Sequence, residues 1–153
     1  MDLNPRGLPE LTEWVVESDD FHLQGFMSAN ASIPQALALA ALFRPAFVEY
    51  EGCVLLGFRF DRPGVDRWIA HLAGDLRAVE ALVNHVHLWD HFTPTSDAEY
   101  AALRPLAEEI AAMWRYAARE AFPGREFDVS VTDDPDDYGP TLTLVTRRAE
   151  GVR

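Results

Sequence analysis

Two alternating stretches near the C-terminus decide the fold of this chain: EFDVSVT at residues 126–132 and TLTLVT at residues 141–146. In each stretch hydrophobic and polar residues alternate with a period of two, which is the pattern of a β-strand with one buried face. The segment between them, DDPDDYGP at residues 133–140, is rich in aspartate, proline and glycine and is typical of a turn. The two stretches therefore predict an antiparallel hairpin closed by an acidic loop.

A second hairpin is predicted further toward the N-terminus. The stretches at residues 46–50 and 53–60 are rich in aliphatic and aromatic residues and flank the dipeptide Glu51-Gly52. Glycine adopts the positive φ angle that a tight hairpin connection requires. We therefore expect two strands joined at Gly52.

Helical patterns lie before the first hairpin and between the two hairpins. Ser32 followed by Gln35, and Ser96 followed by Glu99, have the spacing of a capping box, and the second box opens the longest helical pattern in the chain. Between them, a helix introduced by residues 61–63 carries hydrophobic residues at i, i+3, i+4 and i+7, which predicts one buried stripe: Val65, Trp68, Ile69 and Leu72.

Together these elements predict an α+β fold. We expect a mainly antiparallel sheet built from the two β-hairpins plus a possible central strand at residues 84–92, covered on one face by helices. A length of 153 residues is usual for one compact domain, so residues 1–153 are expected to form a single globular domain. Within it, residues 1–30 have the least defined pattern.

The charge composition excludes several classes of protein. The chain has 25 acidic residues against 13 basic ones, a formal net charge of -12, and every basic residue is arginine. Without lysine it cannot be a Schiff-base enzyme, a Walker A nucleotide-binding protein or a protein kinase. The negative charge argues against a nucleic-acid partner, because such binding depends on basic groups, and favours a basic protein partner instead.

Cysteine content and hydropathy bear on the compartment. The only cysteine, Cys53, excludes an intramolecular disulfide, and the sequence contains no basic-then-apolar leader and no apolar run of about 18 residues. We therefore expect a soluble cytoplasmic protein without membrane contact.

Three histidines, His85, His87 and His91, lie within the run HVHLWDH at residues 85–91. If residues 84–92 form a strand, His85 and His87 share a face that points away from the core and are close enough to bind one ion. If the preceding helix continues instead, His87 and His91 share a face at i, i+4. The strand is the favoured interpretation.

A catalytic zinc site needs three protein ligands and an open position, whereas either local structure brings only two of the histidines together. The candidates for a third ligand are Asp90, His71 and His22. The predicted metal set consists of the three histidines and the aspartate of the run itself: His85, His87, His91 and Asp90. The run resembles the His-x-His-x-Asp-His motif of metallo-β-lactamase-like hydrolases, although two residues separate His87 from Asp90 where that motif has one. The resemblance covers only the seven residues of the run, and no activity is transferred from it.

Two functional hypotheses follow. The first is a small acidic binding or regulatory protein without catalysis, which neutralises a basic protein partner and needs no cofactor. The second is a divalent-metal-dependent hydrolase in which His85 and His87 hold zinc or another divalent ion that activates water. The sequence favours a protein that is not an enzyme and leaves the oligomeric state open. The predicted partner-binding residues are in the acidic loop, with a second acidic stretch near the N-terminus: Asp133, Asp134, Asp136 and Asp137, then Glu17, Asp19 and Asp20.

Overall fold

The computed structural model describes residues 5, 8–12, 15, 21–133 and 138–148. These residues form five α-helices and two antiparallel sheets, which confirms the predicted α+β fold. The helices are α1 (Leu23–Asn30), α2 (Ile33–Phe43), α3 (Arg62–His71), α4 (Leu76–Val83) and α5 (Asp97–Ala121). The strands are β1 (Phe47–Tyr50), β2 (Cys53–Leu56), β3 (His85–His87), β4 (Glu126–Thr132) and β5 (Thr141–Arg147).

Both predicted hairpins are present, and each belongs to a different sheet. β1 and β2 form a two-stranded sheet, whereas β4 pairs with β5 in a three-stranded sheet of order β3-β5-β4. In the second sheet Ser130 lies opposite Thr143 and Thr132 lies opposite Thr141. The histidine strand β3 therefore lies at an edge of its sheet, and the centre is occupied by β5.

The strand after Gly52 is shorter than its apolar sequence predicts. Gly52 has a φ angle of +80°, as the hairpin connection requires, but β2 ends at Leu56 and a 3-10 turn follows at Gly57–Arg59. The amide of Gly57 donates a hydrogen bond to the carbonyl of Ala46 at 2.7 Å, and a Cβ on Gly57 would lie 2.9 Å from that oxygen. The chain thus turns where only glycine allows such a close approach of two backbones.

The main core lies between α5 and one face of the three-stranded sheet. Trp114 of α5 is fully buried and its indole Nε1 donates to the carbonyl of Leu42 at 2.8 Å, so that α2 is held on the same core. The alternating residues of the hairpin supply the sheet side of this core, as their period predicted: Phe127, Val129, Leu142 and Leu144.

A smaller core packs α3 and α4 against the first hairpin. It contains Cys53, Leu55, Val65 and Val79, and burial raises the pKa of the Cys53 thiol to about 11. A thiol with that pKa is not a nucleophile at neutral pH. Trp68 lies at the edge of this layer with 41% of its surface exposed, so its predicted place in the core is wrong.

The two predicted capping boxes differ in outcome. Ser32 and Gln35 make both reciprocal hydrogen bonds at the start of α2. Ser96 caps the amide of Glu99 at 3.2 Å, but the Glu99 carboxylate binds the amide and hydroxyl of Thr95 instead of the Ser96 amide. These bonds from Thr95 lower the pKa of the Glu99 carboxyl.

Helices α1 and α2 expose an apolar surface, with Leu23, Ile33 and Leu37 each at least 65% exposed. Among the described residues no single helix is long and apolar enough to span a membrane, and α1 and α2 reach that length only together, across a bend of 112°.

Two polar side chains of α4 join the two sheets. Asn84, at the C-cap of α4, accepts a hydrogen bond from the amide of Leu56 at 2.9 Å and donates to the carbonyls of Val54 and Leu144 at 2.9 and 3.0 Å. Its amide group therefore satisfies backbone groups of both β2 and β5. Asn84 is completely buried, and the next residue in the chain is His85.

Glu80, one helical turn earlier on α4, completes this junction. Its carboxylate accepts from the amide of Val54 at 2.8 Å and from the amide of Thr146 at 2.7 Å, and it also binds the hydroxyl of Thr146. The two terminal nitrogens of the Arg148 guanidinium, Nη2 and Nη1, donate to the same carboxylate at 2.9 and 3.0 Å. Glu80 is fully buried, so this ion pair fixes α4, and with it the start of β3, against both sheets.

Candidate functional site

The imidazoles of β3 lie on the outer face of the three-stranded sheet. Val86 is 2% exposed and faces the main core, while His85 and His87 are half-buried on the opposite face. The ring centroids of the two histidines are 4.5 Å apart and the rings are nearly perpendicular. The favoured strand interpretation is confirmed for His85–His87, but the strand is shorter than residues 84–92, since a 3-10 turn follows at Leu88–Asp90.

Threonines of the central strand hold both imidazoles. In the antiparallel register His85 lies opposite Thr143 and His87 opposite Thr141. Nδ1 of His85 is 3.2 Å from the Thr143 hydroxyl, and Nδ1 of His87 is 2.8 Å from the Thr141 hydroxyl. A side chain whose Nδ1 is fixed in this way has a defined ring orientation, which is how partners of metal-binding histidines position them.

Three further aromatic rings continue the surface beyond His87. Tyr138, in the connection between β4 and β5, lies 5.5 Å from the His87 ring and 5.1 Å from the Trp89 ring, and Trp89 lies 5.8 Å from Tyr100 at the start of α5. Tyr138 and Tyr100 are 52% and 48% exposed. We call these five residues the aromatic-histidine cluster: His85, His87, Trp89, Tyr100 and Tyr138.

Gly139 fixes the position of Trp89. Its φ angle is +70°, and a Cβ at this position would lie 2.5 Å from two atoms of the indole. The amide of Leu88 donates to the carbonyl of Pro140 at 2.9 Å, which ties the 3-10 turn to the start of β5. The indole Nε1 of Trp89 is buried and has no hydrogen-bond partner among the described residues.

Acidic residues lie next to members of the cluster in the sequence. Asp90 follows Trp89, Asp97 begins the helix that carries Tyr100, and both are exposed. Asp133, at the end of β4, is exposed and lies 3.8 Å from the guanidinium of Arg104. The predicted partner-binding residues Asp134, Asp136 and Asp137 belong to the same connection but lie outside the described residues, as do Glu17, Asp19 and Asp20.

Charge is distributed unevenly along the hairpin β4–β5. At the end near residues 126 and 147, the arginines Arg125, Arg147 and Arg148 form ion pairs with the carboxylates of Glu49, Glu126 and Glu80, respectively. Asp133 and Tyr138 lie at the other end of the hairpin, about 20 Å away at about 3.4 Å per residue. Positive charge is therefore paired at the end of the hairpin that is remote from Tyr138.

The predicted metal ligands are only partly brought together. His85 and His87 are adjacent, whereas His91 follows the 3-10 turn and packs edge-on against Phe58 at 6.4 Å. Of the other candidates, His71 packs at 5.9 Å against Trp68 on α3, and His22 precedes α1. In the part of the chain that the structure describes, no group of three histidine, cysteine or acidic side chains is placed to hold a metal ion.

Sequence reasoning missed the tyrosines of the cluster and the two buried polar residues of α4. Tyr138 had a visible signal, because it is an aromatic residue in a segment that otherwise consists of aspartate, proline and glycine. Glu80 and Asn84 had none, since their partners are far away in the sequence. No protein-family model, curated protein or solved structure matches the chain, so the geometry alone supports a function.

Proposed function

We propose that this protein is an acidic binding protein without catalysis, and that it binds a basic protein through the aromatic-histidine cluster and the acidic residues around it. The observation that carries the proposal is the position of Tyr138. It directly follows the acidic run at residues 133–137 and packs against Trp89 and His87. The acidic run is thus adjacent in sequence to a tyrosine that packs on the rings of Trp89 and His87.

The chemistry of this surface suits a protein partner. Tryptophan and tyrosine dominate the binding energy of protein interfaces because they bury large areas with few rotatable bonds. Carboxylates at the rim attract a basic partner and accelerate its association, as expected for a chain with a net charge of -12. Trp89 is held by Gly139 and the histidines by threonines, so little conformational freedom would be lost on binding.

Replacing Tyr138 by alanine should weaken binding of a basic probe about tenfold or more, because an exposed aromatic side chain at the centre of the surface is removed. The probe is a short synthetic peptide of alternating arginine and glycine, and its dissociation constant is measured by isothermal titration calorimetry at low salt. The matched control is Tyr116→Ala. Tyr116 is 67% exposed on the same helix as Tyr100 but about 24 Å further along its axis.

The control variant should bind the peptide as the unmodified protein does, and raising the salt concentration should weaken binding in both. Amide NMR spectra should show the largest peptide-induced shifts around residues 85–91 and 138–143. Equal losses in Tyr138→Ala and Tyr116→Ala, or shifts centred on another surface, would contradict the proposal.

We propose a divalent metal ion, with zinc as the first to test, as a second candidate ligand. The supporting observation is the pair of imidazoles on one face with both Nδ1 atoms fixed by threonines. A water-activating zinc would need a third protein ligand. Two imidazoles alone would hold an ion weakly, and a hydrolase therefore depends on a further ligand outside this pair.

Zinc titration of the purified protein, without a polyhistidine tag, tests this candidate. If it is correct, His85→Ala and His87→Ala each abolish a saturable calorimetric signal that His71→Ala leaves unchanged. An unmodified protein that gives no saturable signal, or binding that survives both cluster substitutions, would remove the metal site from consideration.

A further inference from the structure

Helices α1 and α2 lie in a segment of the chain that carries no charged side chain. Between Asp20 and Arg44 the sequence contains no aspartate, glutamate, lysine or arginine, although these residues make up 25% of the whole chain. The side chains that produce the formal net charge of -12 therefore all lie outside this segment. We call residues 21–43 the uncharged segment.

The domain covers little of the uncharged segment. No residue within the described range of α1 is buried, and Leu42 is the only buried residue of α2. Leu23, Ile33 and Leu37 are 65%, 74% and 67% exposed. Apart from Gln35, every residue of α2 is apolar, and a helix that is apolar all round is normally buried. The exposed surface of α2 therefore has the character of an interface.

Polar groups at the junction of the two helices are already paired. The side-chain amide of Asn30 donates to the carbonyl of Phe26 at 3.0 Å, and Ser32 and Gln35 make the reciprocal bonds of the capping box. Burial of a polar group is costly only when the group is left without a hydrogen bond. A partner can therefore cover this junction at little cost in polar groups.

The surface of α2 is complementary to itself. Ile33 and Leu37 are four residues apart and form a row of large exposed side chains, and Ala36 and Ala40 form the neighbouring row of small exposed ones. Packed helices place a ridge of large side chains in the groove of the partner helix. In a two-fold arrangement each copy of α2 offers its ridge to the groove of the other.

Charge also favours a second copy over other occupants. Two chains with a net charge of -12 repel each other where their acidic surfaces meet, and only the uncharged segment allows contact without that repulsion. A basic protein would find no carboxylate there. Helices that lie on membranes usually carry lysine or arginine on their polar face, and this segment has neither.

The two helices are large enough for a dimer interface. Their exposed part has a side surface of about 900 Å² at about 1.5 Å per residue and a diameter of about 10–12 Å. A specific dimer buries about 800 Å² per partner. We propose that the uncharged segment is a homodimer interface, in which α2 packs against α2 of a second copy of this chain around a two-fold axis and α1 extends the contact.

Sedimentation velocity over a dilution series of the unmodified protein tests the proposal. We expect a species of about twice the 17.2 kDa chain mass at about 10 μM and above, which dissociates on dilution. Amide hydrogen exchange within residues 23–41 should slow as the concentration rises. Added salt should not weaken the dimer, because salt screens the repulsion between acidic surfaces and leaves apolar contacts intact. Binding of the basic peptide has the opposite salt dependence, so the two associations are distinguishable.

Three variants locate the interface. Leu37→Glu should raise the dissociation constant of the dimer about 100-fold or more, because it places a charge between apolar surfaces. Leu82→Glu adds the same charge at an exposed leucine of α4 and should leave the dimer unchanged. Ala36→Phe fills the groove and should weaken a specific dimer about tenfold or more, whereas it would strengthen non-specific apolar association. Circular dichroism establishes that each variant is folded.

Three outcomes would overturn the proposal. The first is an unmodified protein that stays monomeric throughout the series, and flotation of that monomer with phosphatidylcholine vesicles would identify a lipid surface as the occupant. The second is a dimer that Leu37→Glu leaves intact, which would place the interface elsewhere. The third is an association that Ala36→Phe strengthens. None of these outcomes bears on the aromatic-histidine cluster, which lies on other elements of the fold.

Discussion

Replacing Glu80 by alanine should lower the free energy of unfolding by about 3–5 kcal/mol, because it leaves a charged partner and several buried donors without an acceptor. Arg148 would lose both of its contacts with the carboxylate. The amides of Val54 and Thr146 would become unsatisfied inside the protein. Since Glu80 lies on the helix that leads directly into β3, the position of His85 and His87 should also become less defined.

Urea denaturation followed by circular dichroism measures this effect. Glu108→Ala is the matched control, because it removes a glutamate whose ion pair with Arg104 is exposed, and it should cost less than about 1 kcal/mol. Glu80→Gln keeps one acceptor oxygen and the volume of the side chain, so its midpoint should fall between those of the other two variants. If Glu80→Ala were no less stable than Glu108→Ala, the buried junction would not be holding the two sheets together.

Replacing Gly139 by alanine should cost about 2–4 kcal/mol, because it combines an unfavourable backbone conformation with overpacking against Trp89. The φ angle of +70° and the 2.5 Å separation between an added Cβ and the indole act at the same position. The indole must move for the methyl group to fit. We therefore expect the variant to lose binding at the aromatic-histidine cluster as well as stability.

Gly74→Ala separates the cost of the backbone conformation from the cost of overpacking. Gly74 has a φ angle of +81° and nothing within 4 Å of a Cβ, so alanine there suffers the backbone cost alone. Thermal unfolding of both variants should show a larger loss for Gly139→Ala, and only that variant should alter the near-ultraviolet circular dichroism of the tryptophans. Equal losses of stability with unchanged tryptophan spectra would mean that Trp89 moves aside without cost.

Local pattern was sufficient for the elements that form the scaffold. The period of two at residues 126–132 and 141–146 predicted the long hairpin, and Ser32 with Gln35 predicted the start of α2. The same reasoning placed Val86 inside and the flanking imidazoles outside. It failed for Trp68, because a helical stripe indicates which face is apolar but not how far the neighbouring layer extends to cover it.

The sequence by itself determined the α+β class, the two hairpins and the outward direction of His85 and His87, since each depends on the backbone geometry of a few consecutive residues. Tertiary structure decided that β3 lies at a sheet edge, that Glu80 is buried, and that Tyr138 lies against His87. Each of these depends on partners distant in sequence: Glu80 bonds to groups 26 and 66 positions away, and the hydroxyl of Thr141 that orients His87 is 54 positions away. Local periodicity carries no information about contacts over such separations, because they exist only once the helices and sheets have packed together.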